Sequence, residues 1–73
     1  MQIRRVFAAN LRRLRAAASL SQEELAHRAD IDRTYVSALE RGMYSATIDM
    51  VAKLAEVLEV EPAAMLMRAR PRK

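Results

Sequence analysis

Two helix-start signals fall so close together in this chain that only a short helix fits between them. In "SLSQEELAHRADIDRTYVSALERG", Ser21 followed by Glu24 has the spacing of a capping box, with Leu20 and Leu25 as its hydrophobic staple. The next start is Asp32, with Ile31 and Val36 at staple spacing around it. The pattern predicts one helix over 22–29 and a second over 33–41, separated by a very short break at Asp30. Helices of this length are marginal alone and are held by packing. Leu25, Ala29, Ile31, Val36 and Leu39 have spacings that let the pair share one core, and Ala26 is small where the two must approach closely. Two short helices meeting across such a turn form a helix-turn-helix arrangement.

The rest of the chain supplies the neighbours. Ile3, Phe7, Leu11, Leu14 and Ala18 recur at helical spacing and predict a first helix over 3–18, arginine-rich on its other face. Gly42 stands where the 33–41 helix needs a left-handed terminator. Thr47 caps a helix over 48–58 with an apolar stripe of Val51, Leu54, Ala55 and Leu58, and Pro62 opens a short one over 62–67. With 73 residues, one glycine, two prolines and no cysteine, the chain is expected to be one all-α, compact five-helix domain over 1–67. A basic flexible tail follows at 68–73. No apolar run reaches the roughly 20 residues of a membrane span, so a cytoplasmic protein is expected.

The predicted 33–41 helix poses two questions. Arg33, Thr34, Ser37, Ala38 and Arg41 lie on its outer side, a small, polar and basic face that contributes little to a core. Glu40 sits one turn after Val36, on the inner side. A lone buried carboxylate is costly, so it needs a partner. Arg15, beside Leu14 on the first helix, is well placed to be one.

The formal net charge of +4 is unevenly spread, with basic ends and acid gathered at Asp49, Glu56, Glu59 and Glu61. Such polarity suits a polyanion partner. An enzyme is disfavoured: the single histidine, His27, lies in a polar stretch, and no nucleophile–base pair or metal cluster is apparent. No cofactor, metal or small-molecule ligand is expected. RNA is disfavoured by the lack of an aromatic stacking platform.

"LRRLRAAASLSQEELAHRADIDRTYVSALERG" and "TIDMVAKLAEVLEVEP" resemble the lambda-repressor/Cro-like family of helix-turn-helix proteins over roughly residues 4–67. "DRTYVSALERG", and "TI" without a preceding proline, look most like the controller proteins of restriction–modification systems. The resemblance implies a transcriptional regulator that binds palindromic double-stranded operators as a homodimer. It also implies an arginine–glutamate bridge at Arg15 and Glu40, and a phosphate clamp at Gln22. The sequence departs from the family pattern at Ser19 and Asp30, where glycine is common, at Ala46 in place of proline, and at Met43 and Tyr44 in place of a basic residue.

In this arrangement the second helix of the pair enters the major groove, led by its N-terminal residues. Arg33 is expected to read a guanine through O6 and N7; a phosphate contact is the plainer alternative. Thr34 and Ser37 suit base edges or a thymine methyl, and Ala38 permits close approach. Tyr35, Arg41, Tyr44 and Ser45 join Gln22 as backbone contacts. Val57, Val60, Met65, Leu66 and Met67 are the expected dimer seam. A contact with RNA polymerase is admitted by the regulator reading. The alternative function is an antitoxin or adaptor that binds a partner protein as well as DNA.

Overall fold

The computed structural model describes residues 2–68. Within them the order is α1 (Ile3–Ala17), α2 (Gln22–Ala29), α3 (Arg33–Glu40), α4 (Ile48–Leu58) and a 3-10 turn (Pro62–Leu66). The described residues contain no strand. α2 and α3 pack on each other, α1 lies against α3 and the 3-10 turn, and α4 closes the bundle against α2 and the 3-10 turn. Leu11, Leu25, Val36, Leu39, Leu54 and Met65 are the largest fully buried side chains, one or more from every element. Burying such a side chain contributes roughly 1.5–3 kcal/mol.

The starts of α2, α3 and α4 have the expected caps. Ser21 Oγ accepts from Glu24 N–H at 3.0 Å, and Glu24 Oε1 accepts from Ser21 N–H at 2.8 Å. Asp32 Oδ1 accepts from Thr34 N–H at 2.8 Å, and Thr47 Oγ1 from Met50 N–H at 3.0 Å.

All four helices end on the same device. A residue with positive φ follows the last turn, at Ser19 (61°), Asp30 (58°), Gly42 (71°) and Glu59 (59°). Its N–H bonds three residues back, and the next N–H bonds five residues back, as in Gly42 to Leu39 at 3.1 Å and Met43 to Ala38 at 3.0 Å. This closure ends α1 at Ala17 and α3 at Glu40, one residue earlier in each case than the periodicity suggests.

The fifth helix is the one correction to the architecture: among the described residues there are four α-helices and a 3-10 turn. Pro62–Leu66 is five residues long, too short to sustain i to i−4 bonding. Ala64 N–H bonds Glu61 carbonyl at 2.9 Å, a three-residue step, and Met67 is already extended at φ −91°, ψ 133°. Of the basic tail expected at 68–73, only Arg68 falls within the described residues.

Candidate nucleic-acid interface

α3 begins at the edge of the molecule. Arg33 and Thr34 are exposed and Ser37 is half-buried. The Asp32 cap fixes this first turn, and its hydrogen bond from the Thr34 backbone N–H holds the Asp32 carboxyl below its usual range. Ala38 does not sit outside as expected; it is only 5% exposed. The chain doubles back at this point, because both Arg41 N–H and Met43 N–H donate to the Ala38 carbonyl, at 3.3 and 3.0 Å. A methyl side chain is easily covered there.

The same reversal brings Tyr44 to Tyr35. Their ring centroids are 6.3 Å apart and their planes inclined by 42°. Tyr35 is half-buried, while Arg41, Tyr44 and Ser45 are exposed, so the loop after α3 lies beside the outer face of that helix. Arg41 Nε also donates to Ser37 carbonyl at 3.4 Å.

Behind this face Glu40 is 2% exposed. Arg15 Nε donates to Glu40 Oε2 at 2.6 Å and Arg15 Nη2 to Oε1 at 3.0 Å, a bidentate pair. Donating to the Glu40 carboxylate raises the guanidinium's pKa further, against a smaller opposing effect of burial. Gln22 Nε2 donates to Glu40 Oε1 at 2.9 Å, and Arg12 Nη1 donates to the Glu40 backbone carbonyl. Arg15 Nη1 also donates to Leu20 carbonyl at 2.9 Å. One carboxylate thus ties α3 to α1 and to the start of α2. The Gln22 amide carries a second N–H beside the one held by Glu40.

The expected dimer seam divides. Met65 is fully buried and belongs to the monomer's own core, so it offers no surface to a second copy. Val57 and Val60 are half-buried against that core. Leu66 (42% exposed) and Met67 (62%) do face outward. Sequence reasoning missed Ile48, 87% exposed, although it lies outside the 51, 54, 55, 58 stripe of its helix. It also missed Asn10, 3% exposed among apolar neighbours. Asn10 Nδ2 donates to the carbonyls of Met65 and Met67 at 2.9 and 2.8 Å, and its Oδ1 accepts from Arg13 at 3.1 Å. An asparagine between Phe7 and Leu11 on the inward face of α1 was the available signal.

No helix in the described residues is long and apolar enough to cross a membrane, and they hold no metal-ligand cluster. The paired α2 and α3, with a polar basic face on α3, are the features that comparison with known proteins bears on. Residues 11–64 match the helix-turn-helix family model. The chain belongs to the helix-turn-helix family. It is 38% identical over 65 residues to control protein C.BamHI of Bacillus amyloliquefaciens, covering 88% of this chain and 80% of that protein. It is similar in structure to the restriction-modification controller protein C.AhdI from Aeromonas hydrophila, with a TM-score of 0.82 and 40% identity, over 85% of this chain and 94% of that one. The restriction-modification controller protein C.Esp1396I, solved as a tetramer with its natural 35 base-pair operator, has a TM-score of 0.80 at 26% identity over 89% of this chain and 86% of that one. The likeness is to Cro-like helix-turn-helix proteins of the controller type, which are named as regulators rather than enzymes.

Proposed function

We propose that this chain is a transcriptional regulator of the restriction–modification controller type, acting in the cytoplasm, which binds an operator duplex as a homodimer through the major groove. The observation that carries the reading is the aim of α3. Its N-terminal residues are exposed, polar and basic, while its far end is locked to α1 and α2 through Glu40. A helix whose N-terminal outer residues are left exposed, yet whose orientation is fixed by a buried ion pair, is suited to reading a surface. Controller relatives, one of them solved on its operator, support the same conclusion.

In this reading Arg33 pairs with a guanine edge, and Thr34 and Ser37 contact neighbouring bases. Gln22, Tyr35, Arg41, Tyr44 and Ser45 hold the sugar-phosphate backbone. Ala38, being covered, contributes through its small size rather than through contact area. Leu66, Met67 and Ile48 are the exposed apolar residues from which a second copy would form its seam, with Val57 and Val60 at its margin. Contact with RNA polymerase is a finer proposal, tested by transcription from a promoter carrying the operator. The relatives do not favour the antitoxin or adaptor alternative.

The test is selection of duplexes from a random library, followed by binding of Arg33→Ala and Gln22→Ala to the enriched site. Arg33→Ala should relax preference at one position in each half-site, and Gln22→Ala should weaken all sites alike. Undiminished discrimination in Arg33→Ala would overturn the base-reading assignment.

A further inference from the structure

A second basic feature lies beyond the helix-turn-helix pair. Arg5, Ala8 and Arg12 recur at i, i+3 and i+7, so they share one face of α1. That face lines a notch of about 290 Å³ together with Arg41 and Gly42, at the C-terminal end of α3. Two contacts bring the elements together. Arg12 Nη1 donates to the Glu40 carbonyl, and the backbone carbonyl of Arg4 lies 4.0 Å from where a Cβ on Gly42 would stand. Ala8, 3% exposed, is the small residue that permits this approach.

Three guanidinium groups around one opening repel each other, and no carboxylate lines the notch. Among the described residues the only ion pair is Arg15–Glu40, so none of the three has an acidic partner there. The Arg12 contact uses one of five N–H donors, leaving the others for a ligand. Guanidinium groups with free donors match phosphate oxygens in geometry and charge.

The position of the notch indicates which phosphate. Arg33, Ser37 and Arg41 are spaced four residues apart along the outer side of α3. At about 1.5 Å per residue, Arg41 stands roughly 12 Å along the helix from Arg33. The major groove is about 12 Å wide. With Arg33 directed at the bases, Arg41 is carried toward a wall of the groove, where the backbone runs. The notch opens at that point and continues onto α1.

We propose that Arg5, Arg12 and Arg41 form a phosphate-binding notch, which extends the operator contact from the helix-turn-helix onto α1 and seats one flanking phosphate of the duplex. The proposal rests on the operator-binding reading above and adds Arg5 and Arg12 to the backbone contacts. Arg12 has two roles, because its hydrogen bond to Glu40 also closes the last turn of α3. Among the described residues Arg5 makes no such structural bond, which makes it the cleaner residue to test.

The experiment measures binding of the full chain to the duplex that the wild type enriches from a random library, as a function of sodium chloride. Each phosphate contact contributes about 0.9 to the slope of log K against log salt. Arg5→Gln removes one such contact from each protomer of the dimer, so it should lower the slope by about 1.8 and weaken binding roughly sixtyfold at 0.1 M salt. It should leave the selected sequence unchanged. Arg5→Lys should retain most of the slope, and Lys53→Gln, on α4, should behave as wild type. Thermal melts of each variant establish that the fold is intact. An unchanged slope in Arg5→Gln overturns the notch while leaving operator binding standing. An altered sequence preference, or a change confined to protein–protein assembly at unchanged salt slope, also overturns it. Failure of the wild type to enrich any duplex would sink the operator reading itself.

Discussion

Arg15 on α1 and Glu40 on α3 meet through two parallel N–H···O bonds, with side-chain exposures of 20% and 3%. Breaking a buried pair by removing one partner costs about 3–5 kcal/mol, because the other charge is left uncompensated. Replacing both by apolar groups removes that penalty. Arg15→Met and Glu40→Met should therefore each cost about 3 kcal/mol, and the double variant less than the sum. Denaturant melts of the four proteins give the coupling energy. Additive costs would show that the two residues do not act as a unit. Operator affinity of the folded double variant should still fall, since α3 loses the contact that fixes its direction.

A second expectation concerns acid. The Asp32 and Glu24 carboxyls are both held below their usual range, chiefly by backbone N–H groups of Thr34 and Ser21 respectively. A depressed folded pKa means that the unfolded chain binds more protons as pH falls. The stability they contribute is complete above their unfolded values near 4, and is lost as pH falls through the lower folded values. Asp32→Asn and Glu24→Gln retain polar caps that do not titrate. The melting temperature of the double variant should fall less steeply than wild type between about pH 5 and pH 2. Parallel curves would mean that other carboxylates govern the acid limb.

A third concerns the helix ends. Three of the four positive-φ terminators are not glycine, and Glu59 has the least chemical reason to be one. An L side chain in this conformation costs roughly 1–2 kcal/mol, less for Asp, whose short side chain can bond locally. Glu59→Gly should stabilise by about 1 kcal/mol, partly offset by backbone entropy. The melting temperature should rise by about 4 °C or more. Asp30→Gly should gain less. The converse change, Gly42→Ala, should destabilise by about 1 kcal/mol, although a Cβ there would meet only the Arg4 carbonyl at 4.0 Å. The cost is one of dihedral angle, not of space. A melting temperature unchanged in Glu59→Gly would show that its αL conformation carries no strain.

Elements that announce themselves through local chemistry were readable. Ser21, Asp32 and Thr47 name their own helices, because a cap satisfies backbone groups within three residues of itself. Glu40 was legible as a misfit, and its need for a cation pointed across the chain to Arg15. The 3-10 turn was misread as a further helix because proline at a first turn and small residues after it suit both. Ala38 was misread because helical periodicity knows nothing of the loop that returns over it. Arg12 and Asn10 were missed for another reason. Both act on backbone carbonyls of distant segments, Glu40 and Met65 with Met67, and a carbonyl leaves no mark in a sequence.

Asn10 gives the last expectation. Its two donors hold both ends of the segment that presents Leu66 and Met67, and its oxygen engages Arg13. The 3-10 turn is only five residues long and is held to the body by this anchor and by the burial of Met65. Asn10→Leu keeps the branching of the side chain but leaves the Met65 carbonyl without its Asn10 donor in the interior, at a cost of about 1–3 kcal/mol. The loss should be local. Hydrogen exchange should accelerate at the amides of 62–67 and leave α2 and α3 protected as before. If Leu66 and Met67 belong to the seam, sedimentation equilibrium should also show a weaker dimer in Asn10→Leu than in Ser21→Ala, a variant of comparable cost, about 1 kcal/mol, at the far cap. Unaltered exchange at 62–67 would show that Met65 burial alone holds the turn. Equal dimer strength in the two variants would place the seam elsewhere, with Ile48 the next residue to change.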